Sequence, residues 1–180
     1  MKKFKLLLIF LIFIFDTGGI LKAQEKSSCA IIIHGGAGNM SIGNVSPENR
    51  KKYTEKLNEA LEVGLKILKE GGSSVDAVET TIRIMEDSPL FNAGKGAVFT
   101  HKGENSLDAS IMNGADLQAG AIAGVKDIKN PISAARRVME NSMHVLLSGE
   151  GASEFAAKEG LEIVPPGYFF TERRFNHLLY

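Results

Sequence analysis

Two helical stripes run into a glycine-rich loop and emerge as strands, and this change of period narrows the folds open to the chain. Leu57, Leu61, Leu65 and Leu68 recur at helical spacing, with Val63 and Ile67 widening the stripe and lysines and glutamates opposite. Ser46-Pro47 supplies an N-cap followed by proline at the first helical position, and Gly71-Gly72 supplies the stop. Ser73 with Asp76 resembles a capping box opening a second helix, whose apolar face is Val75, Val78, Ile82 and Met85. These two helices are expected to pack side by side.

Residues 84–100 (IMEDSPLFNAGKGAVFT) then carry the chain from helix to strand through one asparagine and two glycines bracketing a lysine. Glycine costs conformational entropy, so the pair signals unusual backbone angles or close backbone approach. Downstream, residues 97–100 (AVFT) and 106–112 (SLDASIM) flank HKGEN as a predicted hairpin. Residues 117–125 (LQAGAIAGV) read as a third strand whose small side chains let another layer approach. Asn130-Pro131 begins a helix, residues 144–148 (HVLLS) a strand and residues 152–158 a last helix; past Pro165-Pro166 the pattern fades. Upstream, residues 30–34 (AIIIH) read as a buried strand ending in HGGAG. Consecutive strands in the middle exclude a strictly alternating parallel sheet. They predict an α+β fold, an antiparallel or mixed sheet with helices on one face. The other face then needs a cover, and the chain reads as half of a structure.

The first 23 residues resemble an export signal: three lysines within residues 1–5, ten unbroken apolar residues at 6–15, and Leu21-Lys22-Ala23 before the expected cut. Ten residues are too few to span a bilayer, which takes about 20. Cleavage there would remove four lysines and one aspartate from totals of 21 and 21, leaving 17 against 20 and a net charge of −3. That balance gives no basis for binding nucleic acid or an anionic membrane. The protein is therefore expected to be exported, to the periplasm or beyond, with residues 24–180 as one domain portion. Cys29 stands alone, so no internal disulfide forms, and it reads as a small residue entering a strand.

Little in the chain matches familiar catalytic patterns. From Gly36 it reads GAGNMS, which lacks the third glycine of a dinucleotide fingerprint, and no G-x-S-x-G elbow accompanies HGGAG. His34, His101, His144 and His177 are too scattered for a metal pattern, and His34 reads as a hydrogen-bonded structural residue. Glu86 and Asp87 adjoin at a helix end without forming an acid–base pair. Asp108 reads as an anchor for nearby backbone amides, because a carboxylate among apolar neighbours must find donors.

Taken together, HGGAG, GGSSVDAVETTIRIMEDSPLFNAGKGAVFT, SLDASIMNGADLQAGAIAGVKDIKNPISAARRVME and HVLLSGEGASEFA resemble the plant-type asparaginase/isoaspartyl peptidase family, N-terminal nucleophile hydrolases related to glycosylasparaginase. The match runs from about residue 30 to 175. The resemblance implies the N-terminal half of a four-layer αββα sandwich, the α portion of a precursor that cuts itself in two. It also implies hydrolysis of L-asparagine or β-aspartyl dipeptides by a threonine freed at the start of the β portion, with its own α-amine as base. No Gly-Thr pair occurs in the chain, and Thr80, Thr81 and Thr100 lie inside predicted elements, so by itself the chain is expected to be inactive. Removal of sugar-bearing asparagine, or a non-catalytic subunit, are the alternative readings. The implied partners are a β subunit from the same precursor in an (αβ)2 assembly and a small-molecule substrate.

By position, the resemblance assigns the loop to a structural sodium ion, held by the main-chain carbonyls of Met85, Glu86, Ser88, Phe91, Ala93 and Lys95, with no organic cofactor. A hard cation prefers oxygen ligands, and glycines let carbonyls turn. Only the Lys95 carbonyl is invoked, so its side chain is expected to matter little. Asn92 is implied to be held by the loop so that it orients the threonine.

Overall fold

A computed structural model describes residues 29–38 and 44–179. In chain order these form α1 (Pro47–Lys69), α2 (Ser74–Glu86), a short 3-10 turn (Gly94–Gly96), β1 (Leu107–Met112), β2 (Ala119–Val125), α3 (Pro131–Asn141), β3 (Leu146–Ser148), α4 (Gly149–Lys158), a second 3-10 turn (Pro166–Phe169) and α5 (Glu172–Leu178). The export segment at residues 1–23 lies outside the described residues. Among the described residues no helix is long and apolar enough to cross a membrane.

Both first helices start as the sequence predicts. Ser46 Oγ accepts the Asn49 N–H at 3.2 Å, and Ser73 Oγ accepts the Asp76 N–H at 3.1 Å while donating to Asp76 Oδ2 at 2.7 Å. Past α1, Gly72 N–H returns to the Ile67 carbonyl at 2.9 Å, with Gly71 at φ +86°. The helices pair closely because Gly64 lacks a side chain. A Cβ there would lie 2.3 Å from Thr81 Oγ1, the buried hydroxyl that donates to the Ala60 carbonyl. Ala60, Met85 and Phe91 form the core of this pair.

The sheet is mixed, in the order β1-β2-β3, with β1 antiparallel and β3 parallel to β2. Leu107 and Ile111 of β1 join Ile122 and Val125 of β2 on the covered face, under Ala134 and Val138 of α3 and Ala152 and Ala156 of α4. Gly120 sets the depth of this contact: a Cβ there would lie 2.2 Å from the Ala135 carbonyl oxygen and 2.4 Å from Met139 N, so α3 rests directly on the strand backbone. The opposite face of the sheet carries Ser110, Ala121 and Ala123 with exposed Met112 (59 %) and Leu146 (54 %), and no described element lies over it. The α+β class and the one-sided helices are thus as the sequence predicts.

Three expected strands differ. Residues 30–34 form no ladder among the described residues, yet Ile31 and Ile33 are half-buried while Ile32 is 94 % exposed. This alternation is that of a strand lying on α1 with no pairing partner. Cys29 at its start is half-buried and free. Residues 97–100 keep only a single bridge, Phe99 to Asn105, because side chains take over their backbone groups. Asn92 Oδ1 accepts the Val98 N–H at 2.9 Å, and Asn105 Nδ2 donates to the Ala97 and Val98 carbonyls at 3.0 and 3.2 Å. The HKGEN turn still closes that bridge, with Thr100 N–H donating to the Glu104 carbonyl at 2.7 Å, and a further hairpin joins β1 to β2, where Leu117 adopts φ +63°. β3 is shorter than expected, starting at Leu146 after Ser142 Oγ has bonded the His144 backbone.

Candidate functional site

The helix-to-strand loop is the point where the motif-bearing stretches meet. Gly35 of HGGAG lies against Leu57 and the Phe91 ring, with contacts of 3.4 and 3.6 Å for a Cβ placed there. From the loop, Asn92 reaches Val98, and Asn105 ties Val98 to the start of β1. HGGAG, PLFNAGKG and LDAS, separated in sequence, are therefore connected in space.

Asn92 is exposed, and its carbonyl oxygen is occupied by the Val98 N–H. Its Nδ2 makes no hydrogen bond among the described residues, so one end of the amide is anchored and the other is left as a donor. The glycines explain how the loop closes. Gly94 has φ +47°, and a Cβ there would lie 2.4 Å from the Glu86 carbonyl oxygen; at Gly96 the same atom would lie 2.0 Å from that of Phe91. Backbone thus presses on backbone where two of the six expected ligand carbonyls sit. Two more, Met85 and Ala93, accept N–H groups from Ser88 at 3.2 Å and Gly96 at 3.0 Å, and a carbonyl has a second lone pair for a cation. A cradle that only glycine permits, rich in main-chain oxygens, fits a sodium ion. Among the described residues no group of three or more His, Cys, Asp or Glu side chains could hold a metal.

The Glu86 side chain is a feature the sequence reading overlooked. It is 3 % exposed, and its Oε1 accepts the Ile132 N–H at 3.0 Å, so it caps α3 in place of Asn130. Asn130 Nδ2 instead donates to Asp87 Oδ1 at 3.0 Å. A carboxylate at a helix N-terminus is electrostatically favoured. Burial outweighs that here: it pushes the Glu86 carboxyl up to about 8, against the lowering effect of the Ile132 N–H, and Oε2 has no partner. The glutamate thus joins the loop's first residues to the opening of α3. Its neighbour Asp87 gave no sequence signal for this division of labour.

Lys95 also departs from expectation, since its ammonium lies 4.2 Å from the centroid of the Tyr168 ring. A cation over an aromatic face is attracted to it, so the side chain has a packing role of its own. Asp108 accepts the Gly124 N–H at 2.8 Å across a bulge, as an anchor for a backbone amide, though the residue is exposed. His34 Nδ1 accepts the Gly36 N–H at 3.2 Å. The Thr81 hydroxyl is bound to Ala60, inside α2. A hollow of about 720 Å³ lined by Gly124, Asp127, Gly149, Ser153, Val164 and Pro165 shares no residue with the expected site.

A family model described as asparaginase (Asparaginase_2) matches residues 27–180. The chain belongs to this family. It is 46 % identical over 153 residues to the isoaspartyl peptidase of Salmonella typhimurium, covering 85 % of this chain and 49 % of that protein. It is 44 % identical over 143 residues to the isoaspartyl peptidase/L-asparaginase of Bos taurus, covering 79 % and 45 %. The plant-type L-asparaginase of Pyrococcus horikoshii is 49 % identical over 145 residues, covering 81 % and 46 %. The matched region of this asparaginase-family chain thus spans about half the length of these curated relatives.

Proposed function

We propose that the chain forms one flank of an amidohydrolase, and that the whole protein hydrolyses the side-chain amide of L-asparagine or the β-aspartyl bond of isoaspartyl dipeptides. The observation that carries this reading is the sheet's bare face. Ser110, Ala121 and Ala123 present small side chains there, flanked by exposed Met112 and Leu146, and described helices cover only the other side. Small residues on one sheet suit close stacking by a second, about 10 Å away. The second sheet of an αββα sandwich, contributed by a β portion of the same precursor, would complete it. The names of the relatives, isoaspartyl peptidase and plant-type L-asparaginase, support the substrate class.

The reaction follows from the family's chemistry. A threonine hydroxyl at the start of the β portion adds to the amide carbonyl, its own α-amine taking the proton. The tetrahedral adduct expels ammonia or an amino acid, and water releases aspartate from the acyl-enzyme. In this chain Asn92 is the group for the site. Its Oδ1 is fixed by Val98 N–H, so its Nδ2 is held as a donor toward the threonine without reorganisation at the moment of reaction. The carbonyls of Met85, Glu86, Ser88, Phe91, Ala93 and Lys95 would hold sodium, which supplies rigidity to the loop. Residues 1–23 direct export, and two αβ units associate as (αβ)2. The test is release of ammonia from L-asparagine, or of free amino acids from β-aspartyl dipeptides, by the purified whole protein. Turnover of neither substrate class would reject the reading.

A further inference from the structure

The loop that holds Asn92 is gripped from a second side by a segment whose pattern fades in the sequence. Thr171 caps α5 by accepting the Arg174 N–H on its hydroxyl at 3.4 Å, which sets two consecutive arginines at the helix start. Arg173 Nη2 donates to the Pro89 carbonyl at 3.2 Å and the Leu90 carbonyl at 2.9 Å, and its Nη1 to Tyr53 Oη at 3.0 Å. Tyr53 in turn donates to the same Leu90 carbonyl at 2.9 Å. Arg174 Nε donates to the Gly96 carbonyl at 2.7 Å. Neither guanidinium forms an ion pair among the described residues. Burial and the neighbouring Arg173 charge hold Arg174 below its ordinary value. Arg173 is exposed and Arg174 half-buried, and the charge-assisted hydrogen bonds of both go to backbone oxygens of this one loop and to the tyrosine that serves it.

The set of oxygens they take is the telling point. Pro89, Leu90 and Gly96 supply none of the six carbonyls assigned above to the cation. Arginines and cation would divide the loop's oxygens without competition. The surrounding contacts hold α5 in place for this. Phe99, just beyond the loop, makes edge contacts with Phe170 and Phe175 at ring separations of 5.8 Å each, and Lys95 lies over Tyr168.

We propose that Arg173 and Arg174 are positioning residues: from α5 they clamp the carbonyls of Pro89, Leu90 and Gly96, and so fix the loop that presents Asn92. The catalytic consequence rests on the reading of Asn92 given above. The clamp itself does not, and it is tested separately.

The experiment compares Arg173→Met/Arg174→Met with Arg173→Lys/Arg174→Lys and the unmodified whole protein, by amide hydrogen exchange and by steady-state kinetics. Loss of these charge-assisted bonds should speed exchange of the Gly96, Ala97 and Val98 amides about 10-fold or more, with exchange across residues 131–141 unchanged. The lysine pair, which keeps the charge but not the fork, should recover part of that protection. In kinetics, kcat should fall about 10-fold with KM within about twofold, because remote positioning acts on the reacting geometry. Unchanged exchange at residues 96–98, or equal acceleration there and in residues 131–141, would overturn the clamp. Faster loop exchange with unaltered kcat would overturn its link to Asn92. If the unmodified protein hydrolyses neither substrate class, the functional reading fails while the exchange result still decides whether the clamp exists.

Discussion

Substituting Gly96 by alanine tests the loop's construction. The added Cβ would sit 2.0 Å from the Phe91 carbonyl oxygen and 2.9 Å from the Pro89 carbonyl carbon and oxygen, against an ordinary contact of 3.4 Å or more. The backbone would have to open by about 1.4 Å, and none of these atoms belongs to a side chain that could swing aside. Phe91 is buried, with the Tyr53 ring against it at 5.8 Å, and the Pro89 carbonyl accepts from Arg173. Overpacking of this kind costs at least about 3 kcal/mol, the upper end of the usual range. For a domain of this size that is roughly 6–12 °C in Tm. Gly114→Ala is the control, since a Cβ at that position meets nothing within 4 Å. Thermal unfolding followed by circular dichroism should separate the two variants clearly. A Gly96→Ala protein melting within about 2 °C of the unmodified one would refute the close-packed loop.

Other consequences are equally direct. Asn92→Asp keeps the acceptor for Val98 N–H but removes the Nδ2 donor, so kcat of the whole protein should fall about 100-fold with little change in Tm; unchanged turnover would remove Asn92 from the chemistry. Glu86, raised to about 8 from 4.5, binds its proton more tightly in the folded state, so its contribution to stability is present at low pH and is lost as pH rises from 4.5 through 8. At about 1.4 kcal/mol per pH unit the loss amounts to a few kcal/mol; Glu86→Gln should remove that slope in denaturant titrations at pH 5 and pH 8, and parallel slopes in both proteins would contradict it. Gly120→Ala would push α3 off β2, since its Cβ would meet the Ala135 carbonyl at 2.2 Å, and should cost about 2 kcal/mol or more by urea unfolding; a neutral outcome would argue against the direct helix-on-strand contact.

The periodic elements could be read from residues because their signals are local. The leucine stripe, Ser46-Pro47 and Ser73 with Asp76 set α1 and α2 close to their observed bounds, and residues 106–112 beside the HKGEN turn and the small-residue run at 117–125 contain β1 and β2. Residues 97–100 misled because their competitors are side chains remote in pattern, Asn92 and Asn105, which take the hydrogen bonds a ladder would use. Residues 30–34 do alternate as a strand should, but pairing needs a neighbour and none is present among the described residues. At the candidate site, motif resemblance pointed to Asn92 and the glycine loop. The burial of Glu86, the packing of Lys95 on Tyr168 and the reach of Arg173 to Leu90 all join residues from different elements, where no spacing rule operates.

The most direct test of the two-part site is to incubate the purified whole protein, separate its polypeptides and sequence each N-terminus. The account predicts two fragments, the smaller-numbered one containing residues 84–100 and the other beginning with threonine, appearing together with β-aspartyl hydrolysis. A single uncut polypeptide that hydrolyses the substrate at full rate would contradict it.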